Sequence, residues 1–474
     1  MVHHKKNEPG GQPAPPIIGI DDESPIVAIA TAPGRGSIGV VRVSGQSLGG
    51  FLSQLVQGHN ITNRQAHYLP ICDADESLID QAIVIYFQGP NSYTGEDVIE
   101  IQGHGGPAVM HLLLQRCLSL GKQIGLRLAA PGEFSLRAFL NDKIDLAQAE
   151  AVADLIDASS TAAAKAAAAS LSGAFSKEVN KLADELIYLR TLVEATLDFP
   201  EEEIEFIEKY QVKERLDHIS TLLHQVIDVS KQSSYLRDGL KVVLAGEPNV
   251  GKSSLLNALF DQDIAIVTEV AGTTRDRIKE TLQLDGVPIQ ITDTAGLRDT
   301  VDLVEQIGID KTWLSIADAD VILDVMDARY PRSFIRSLSD KPEYRDKQII
   351  DVYNKSDLLD GLNSFLTVDN EFSVLVSAKT RQGITELKKI LLQRAGRELG
   401  DVSPWLGRLR HIEALEIAET HLNNAIEHAQ LDDRVLDLLA EELRLSHQAL
   451  ATIVGNLSAD DLLGKIFSSF CIGK

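Results

Sequence analysis

Gly246-Glu247-Pro248-Asn249-Val250-Gly251-Lys252-Ser253 carries the spacing G-x-x-x-x-G-K-[ST]. Glycines there let backbone N–H groups curl around phosphate oxygens, and a following helix turns its positive end toward them. A strand-like run, Lys241–Ala245, precedes the motif and a helix-like run, Ser254–Phe260, follows it. That is the context that makes the motif a phosphate loop. Lys252 is expected on the β/γ-phosphates and Ser253 on Mg²⁺, with Asn249, Val250, Gly251 and Ser254 completing the phosphate cradle.

Further pieces follow in order. Asp293-Thr294-Ala295-Gly296 ends an apolar run. Asp293 would hold the magnesium shell, and the Gly296 N–H would sense a γ-phosphate. Thr273-Thr274 lies between, on a glycine-containing loop, where the Thr274 hydroxyl can complete Mg²⁺ coordination. Asn354-Lys355-Ser356-Asp357 follows the run Ile349–Tyr353. A carboxylate at Asp357 can accept both N1–H and N2–H of guanine, a donor pair that adenine lacks. Ser377-Ala378-Lys379 would close the base pocket. Each piece ends a strand, where open α/β sheets bind ligands, and together they specify GTP. Leu297 stands where many GTPases carry a water-positioning Gln, and Leu cannot orient water. Glu305, Arg298 and Asp299 are close by in sequence as candidates, or are ordinary solvated charges.

Other glycine patterns resolve as decoys. Gly34-x-Gly36-x-x-Gly39 leads into the strand-like Val40–Val43, with no acid before Asp73, whereas a dinucleotide site needs a helix and then an acid. Gly45-Gln46-Ser47-Leu48-Gly49 resembles a nucleophile elbow, but the glycine run Gly103-His104-Gly105-Gly106 follows it instead of preceding it. Those glycines are expected to let backbone approach a neighbour or ligand. The ending Cys471-Ile472-Gly473-Lys474 makes a poor prenylation box. Cys471 is either a plain terminal thiol or a nucleophile delivered by a mobile tail.

The elements that must position these groups fall into regions. Residues 1–25, rich in Pro and Gly, read as a loose tail without a signal-peptide core. Residues 26–140 read as mixed α/β, with strands Ile26–Ala30, Ile38–Val43, Ile79–Phe87 and Val98–Gln102 and a helix Ala108–Leu120 opened by Pro107. From 141 to 237 the period becomes helical, with Leu171, Phe175, Val179, Leu182, Leu186, Leu189, Val193 and Leu197 on one face. Residues 238–396 alternate short apolar runs with helical ones, as a mostly parallel sheet requires. Residues 397–474 return to helix. The two helical stretches are expected to form one bundle with the sheet domain inserted between them, leaving at Ser233-Ser234 and returning at Gly400–Pro404.

At 474 residues, 44% apolar and 24% charged, the chain has the composition of a globular protein. No apolar run would span a bilayer. The three cysteines are too scattered for a disulfide framework or zinc site, which fits a reducing, cytoplasmic setting. A net charge of −24 offers no general field for nucleic acid, so contact with it would need a basic patch or a basic partner.

Several segments are far more specific than the phosphate loop. Pro90-Asn91-Ser92-Tyr93-Thr94-Gly95-Glu96-Asp97, Gly103–Pro107, Pro131-Gly132-Glu133-Phe134, Arg137-Ala138-Phe139-Leu140-Asn141, Ala271-Gly272-Thr273-Thr274-Arg275-Asp276 and the ending Phe467–Lys474 resemble the MnmE (TrmE) family of tRNA wobble-uridine modification GTPases, from about Ile26 to Lys474. The resemblance implies an N-terminal domain that dimerises and binds a tetrahydrofolate one-carbon donor (5-formyl or methylene form), a helical domain and an inserted G domain. It places folate contacts on Arg42, Glu100, Lys143 and Lys474. It also implies a potassium ion held by Asn249, Thr268, Val270 and Thr273 in the place of an arginine finger, and Glu305 as the catalytic acid that orients water. The implied partners are a second copy of the chain, the FAD-containing MnmG (GidA) in a heterotetramer or larger, and tRNA. Their joint product is a carboxymethylaminomethyl-type group on carbon 5 of the wobble uridine. A GTPase switch of ribosome assembly is the alternative, and it would need neither the N-terminal domain nor the Cys-Ile-Gly-Lys ending.

Overall fold

The computed structural model describes residues 23–198, 211–260, 280–284, 286–293, 316–333, 347–359, 372–395, 403–431 and 435–455, with 463, 466, 467, 470 and 473. The chain divides into two compact units, Met1–Ala153 with Gly455–Lys474, and Asp154–Val454.

The first unit is built on strands β1 (Ile26–Ile29), β2 (Ile38–Gly45), β3 (Ala66–Cys72), β4 (Leu78–Phe87), β5 (Asp97–His104) and β6 (Arg127–Leu128), in the order β3-β4-β5-β2-β1-β6. All neighbours are antiparallel except β1 and β6. Helices α1 (Gly49–Leu55), α2 (Pro107–Leu120) and α3 (Glu133–Leu140) follow β2, β5 and β6, and α4 (Leu146–Asp157) follows α3. One sheet face buries Val41, Val43, Val84, Ile99 and Ile101 with Phe51 of α1 and Leu113 of α2. Alternate residues of each strand therefore face away, and Arg42 and Glu100 are among them. Strand β3 was not expected from the sequence. It carries Pro70, which a sheet tolerates on an edge strand, and β3 is an edge.

Four glycines of the decoy motifs, Gly39, Gly45, Gly103 and Gly105, serve close packing, whereas Gly34 and Gly49 face open space. A side chain at Gly39 would collide with the Met110 thioether, and one at Gly105 with the Gly36 and Ile38 carbonyls. Around α3, Leu136 packs with Leu146 and Ala149 of α4 and with Leu463, Ile466, Phe467 and Phe470. Gly473 lies against the Ile29 carbonyl, too close for a side chain. The described residues of the ending are thus buried within this unit.

The second unit contains a helical bundle and a sheet. Helix α5 (Thr161–Leu171) is capped by Ser160, whose hydroxyl accepts from the Ala163 N–H at 3.1 Å. Gly173, at φ +88°, separates α5 from α6 (Ala174–Asp198). The expected apolar face is therefore shared by two helices, with Leu171 on the first. Helix α7 (Val212–Asp238) runs through Ser233-Ser234, which do not form a seam. Ser233 is buried and accepts from the Gly407 N–H at 2.8 Å.

The sheet comprises β7 (Leu240–Ala245), β8 (Glu280–Leu284), β9 (Val287–Asp293), β10 (Val321–Asp327), β11 (Gln348–Asn354) and β12 (Ser373–Leu375), ordered β12-β11-β10-β7-β9-β8. All pairs are parallel except the β8–β9 hairpin, turned at Gly286 with φ +81°. Helices α8 (Lys252–Phe260) and α9 (Ile384–Arg394) accompany it. Then come α10 (Leu409–Ala429) and α11 (Leu436–Val454). Helix α10 packs on α11 and on α7, and α11 on α6, so helices from both sides of the sheet meet.

The sheet's apolar core does not stop at the sheet. It continues into Ala163, Ala166 and Ala167 of α5, Leu236 of α7 and Leu406. The alanine-rich run, to which the sequence assigned no role, supplies the small side chains for this close approach. At the same junction the Asp154 carboxylate accepts from Arg237 at 3.0 Å and from Arg408 at 2.6 Å. Arg237 lies just before β7 and Arg408 just after the chain returns from the sheet.

Candidate functional site

From β7 the chain goes on to the β8–β9 side of the sheet and from β10 to the β11–β12 side, so the strand order reverses between the neighbours β7 and β10. Open α/β sheets bind ligands at such a point, and the loop Gly246–Gly251 begins there. Its backbone is one that side chains would obstruct. Gly246 has φ +147°, and a Cβ would lie 2.3 Å from the Val325 carbonyl oxygen. Gly251 has φ +96°, and a Cβ would lie 2.4 Å from Asn354 Nδ2. Asn249 takes φ +64°, a left-handed conformation that Asn adopts more readily than most residues. Lys252, in the first turn of α8 and buried, donates from Nζ to the Gly246 and Glu247 carbonyls, both at 3.0 Å. This holds its ammonium inside the loop. Asn249, Ser253 and Ser254 are exposed on the same loop and helix start, while Val250 is buried beneath them.

The segments expected to hold the base come from the next strand ends. Asn354 is nearly fully buried and ties three segments together. Its Nδ2 donates to the Val250 carbonyl at 2.9 Å, and its Oδ1 accepts from the Ala378 N–H at 3.0 Å. Ser377 donates its hydroxyl to Asp357 Oδ1 at 2.6 Å and accepts from the Thr380 N–H at 3.1 Å. Asp357 and Lys379 are exposed. Lys355, at φ +66°, reaches from Nζ to the Asn249 carbonyl at 2.7 Å and to Asp327 Oδ2 at 2.9 Å.

The structure thus brings Asn249, Val250, Gly251, Lys252, Ser253 and Ser254 together with Asn354, Lys355, Asp357, Ser377 and Ala378. Register places Asp293 opposite Leu244, at the end of β9 beside the loop. The loop fits a nucleoside phosphate by its glycine cradle and buried lysine. The serine hydroxyl on the first helical turn fits a Mg²⁺ ligand. Thr268, Val270, Thr273, Thr274, Thr294, Ala295, Gly296, Arg298 and Glu305 lie outside the described residues, as do Cys471 and Lys474.

A second constellation lies in the first unit. Arg42 is on β2, between β5 and β1 and not at an edge. Register sets it opposite Glu100, and its guanidinium donates to Glu100 Oε1 from Nε at 3.0 Å and from a terminal nitrogen at 2.8 Å. Its cation lies 5.8 Å from the Tyr93 ring centre and 5.7 Å from that of Phe134. An arginine, a carboxylate and two aromatic rings suit a flat, polar heterocycle with an anionic tail. Lys143 Nζ donates to the Pro90 carbonyl at 2.9 Å.

Below this group runs a buried ion network that the sequence did not reveal. Arg137 pairs with Glu96 and with Glu133, both at 3.0 Å, and Arg127 pairs with Glu133 at 2.7 Å. Ser44 Oγ donates to Glu96 Oε2 at 2.7 Å. Burial alone would raise the Glu133 carboxyl. Arg127, the Ala130 N–H and Arg137 outweigh it and hold the group below the ordinary carboxylate range. The available signal was the Glu133/Arg137 spacing, which aligns both on one face of a helix.

The GTP-binding protein TrmE N-terminus model matches residues 25–143, and the MnmE helical domain model matches residues 146–471. A protein of Bordetella avium (strain 197N) named tRNA modification GTPase MnmE is 57% identical over 450 residues, covering 95% of this chain and 99% of that one. A protein of the same name from Bordetella parapertussis (strain 12822) is 56% identical over 461 residues, covering 95% and 99%. One from Paraburkholderia xenovorans (strain LB400) is 52% identical over 460 residues, covering 96% and 99%.

Proposed function

Because the chain belongs to the MnmE (TrmE) family, we propose that it is a GTPase that works in tRNA modification. The observation that carries the GTPase reading is the glycine cradle of Gly246 and Gly251 closed over by Asn354, with Lys252 held inside. We propose the finer reaction as well. With the FAD-containing MnmG (GidA), a homodimer of this chain adds a carboxymethylaminomethyl-type group to carbon 5 of the wobble uridine, using a tetrahydrofolate one-carbon unit. The domain limits that go with this reading are 26–140, 141–237, 238–396 and 397–474, after a tail of 1–25. In this reading Arg42, Glu100, Lys143 and Lys474 hold the folate, and the acidic chain pairs with a basic, tRNA-binding partner in the cytoplasm. Among the described residues no helix is long and apolar enough to cross a membrane. Nucleoside analysis of tRNA from a deletion strain tests the reaction. An unmodified wobble uridine restored by this chain supports it, and an unchanged nucleoside profile overturns it.

For hydrolysis, potassium held by Asn249, Thr268, Val270 and Thr273 would supply positive charge where the transition state spreads negative charge over the β–γ bridge. Mg²⁺ would be held through Ser253 and Thr274. Glu305 would orient the attacking water, and pairing of two G domains would exclude bulk water. Turnover is expected to be at least about tenfold faster in potassium than in sodium, because a single well-placed charge is worth several kcal/mol of barrier. Glu305→Ala should lose turnover and keep GTP binding, and Asn249→Ala should lose the potassium response. Steady-state phosphate release in matched chloride salts measures the turnovers, and titration with a fluorescent GTP analogue measures the binding kept by Glu305→Ala. Equal rates in the two salts would return the charge-stabilising role to Arg275 or Arg298.

A further inference from the structure

The Lys355 ammonium touches two groups, the Asn249 carbonyl of the phosphate loop and the carboxylate of Asp327. Asp327 is the last residue of β10, and register sets it directly opposite Asn354 of β11, the residue before Lys355. It stands at the same sheet end as the nucleotide segments but belongs to none of the motifs that mark them. Its carboxylate is itself held fast. Arg329 donates from Nε to Oδ1 at 3.0 Å and from a terminal nitrogen to Oδ2 at 2.7 Å, and its backbone N–H donates to Oδ1 at 3.1 Å. The Asp327 rotamer is thus held by a guanidinium fork as well as by Lys355, and the carboxylate side chain is only 15% exposed.

A lysine left alone on a surface samples many rotamers, and ordering it costs free energy. Two fixed acceptors remove that freedom. The carbonyl that Lys355 grips belongs to Asn249, which holds a left-handed conformation at the tip of the loop. A side chain other than glycine in that conformation persists when its surroundings over-determine it. The grip of Lys355 on the Asn249 carbonyl is one such determinant, and Asp327 keeps the ammonium there.

We propose that Asp327 is a positioning residue for nucleotide binding, acting through Lys355 to hold the Asn249 turn of the phosphate loop in its binding shape. This rests on the GTPase reading and assigns within it a residue on a third strand end. Arg329 is the outer member of the relay Arg329–Asp327–Lys355–Asn249. The carboxylate is the member that matters, because it alone can neutralise both cations that converge on it.

The test is a double-mutant cycle in the full chain, read as GDP affinity with a fluorescent GDP analogue, so that neither hydrolysis nor a γ-phosphate enters. Asp327→Asn should weaken GDP binding about tenfold, the scale of one charge-assisted hydrogen bond. In a Lys355→Met background the same change should alter affinity less than about twofold, because groups that act through one another are not additive. Asp327→Ser serves the same comparison should the Asn variant fail to fold. Full-strength, additive loss in both backgrounds would mean that Asp327 acts on the domain's fold and not through Lys355, and would overturn the proposal. So would unchanged affinity in Asp327→Asn. Wild-type chain that binds no GDP at all would instead overturn the GTPase reading on which the proposal stands.

Discussion

Asp357→Asn is expected to weaken GTP binding about 100-fold and to turn the base preference toward xanthine. The carboxylate of Asp357 is exposed above Ser377, which fixes one of its oxygens at 2.6 Å. It can thus face a base in a defined orientation and accept two N–H donors from guanine. An asparagine offers one acceptor and one donor, so guanine meets a mismatched amide. Two hydrogen bonds to a charged group, at roughly 1.5 kcal/mol or more each, account for the factor. Xanthine carries a carbonyl in place of the exocyclic amine and can accept from the new amide. The Ser377 hydroxyl can still donate to the amide oxygen, so the loop itself should keep its shape. Competition of GTP and XTP against a fluorescent guanine nucleotide measures the outcome. An unchanged preference for GTP would mean that the base pocket lies elsewhere.

The largest expected effect on stability is at Arg137. It is buried between Glu96 and Glu133, and Arg127 also reaches Glu133. Removing one partner from a buried ionic cluster leaves charge uncompensated and typically costs about 3–5 kcal/mol. Arg137→Met should cost this much at neutral pH, because Glu96 loses the only cation that the described residues show pairing with it. Its pH dependence follows from Glu133. That carboxyl is held below its unfolded value of 4.5, so its contribution is present above that value and lost as pH falls through the lower, folded one. In Arg137→Met the depression shrinks, and acid unfolding should begin at a higher pH. Hydrogen exchange at the β5 amides, followed from pH 7 down to pH 3, reads both effects. Wild-type protection in the variant at neutral pH would show that the network is dispensable.

How far these sites could be read from the sequence depends on whether their parts are local. The phosphate loop was legible because its groups are contiguous and its glycines answer to backbone geometry, as Gly246 against Val325 shows. The placement of Asn354 and Asp357 at this sheet end was legible because the strand before them, Gln348–Asn354, carries a short run of apolar residues. Asp327 was not. Its importance comes from the parallel pairing of β10 with β11, which sets it opposite Asn354. No local pattern of types announces that neighbour. The same holds for Glu96 and Arg137, far apart in the chain and joined only by folding. Nothing local to Arg42 marks it. Its central strand and the Phe134 ring beside it come from strand order and from a helix that follows much later. At the chain ending, Phe467 and Phe470 are among the buried apolar residues around α3, and two aromatic residues in four were a signal of burial.

A domain inserted into another must be reached twice, once going out and once coming back. Here both crossings are tied to one side chain, since Asp154 holds Arg237 on the way out and Arg408 on the way back. The inserted sheet is therefore mounted more like a key on a shaft than a ball on a string. With both legs bound at one point and the apolar floor of Ala163, Ala166 and Ala167 beneath, there is little slack to absorb a turn of the sheet. A rearrangement at the nucleotide end that rotated it would wind α7 and α10 together, and the bundle would receive a torque and not a tug. Lengthening either leg by a few flexible residues should uncouple the two ends while leaving each intact.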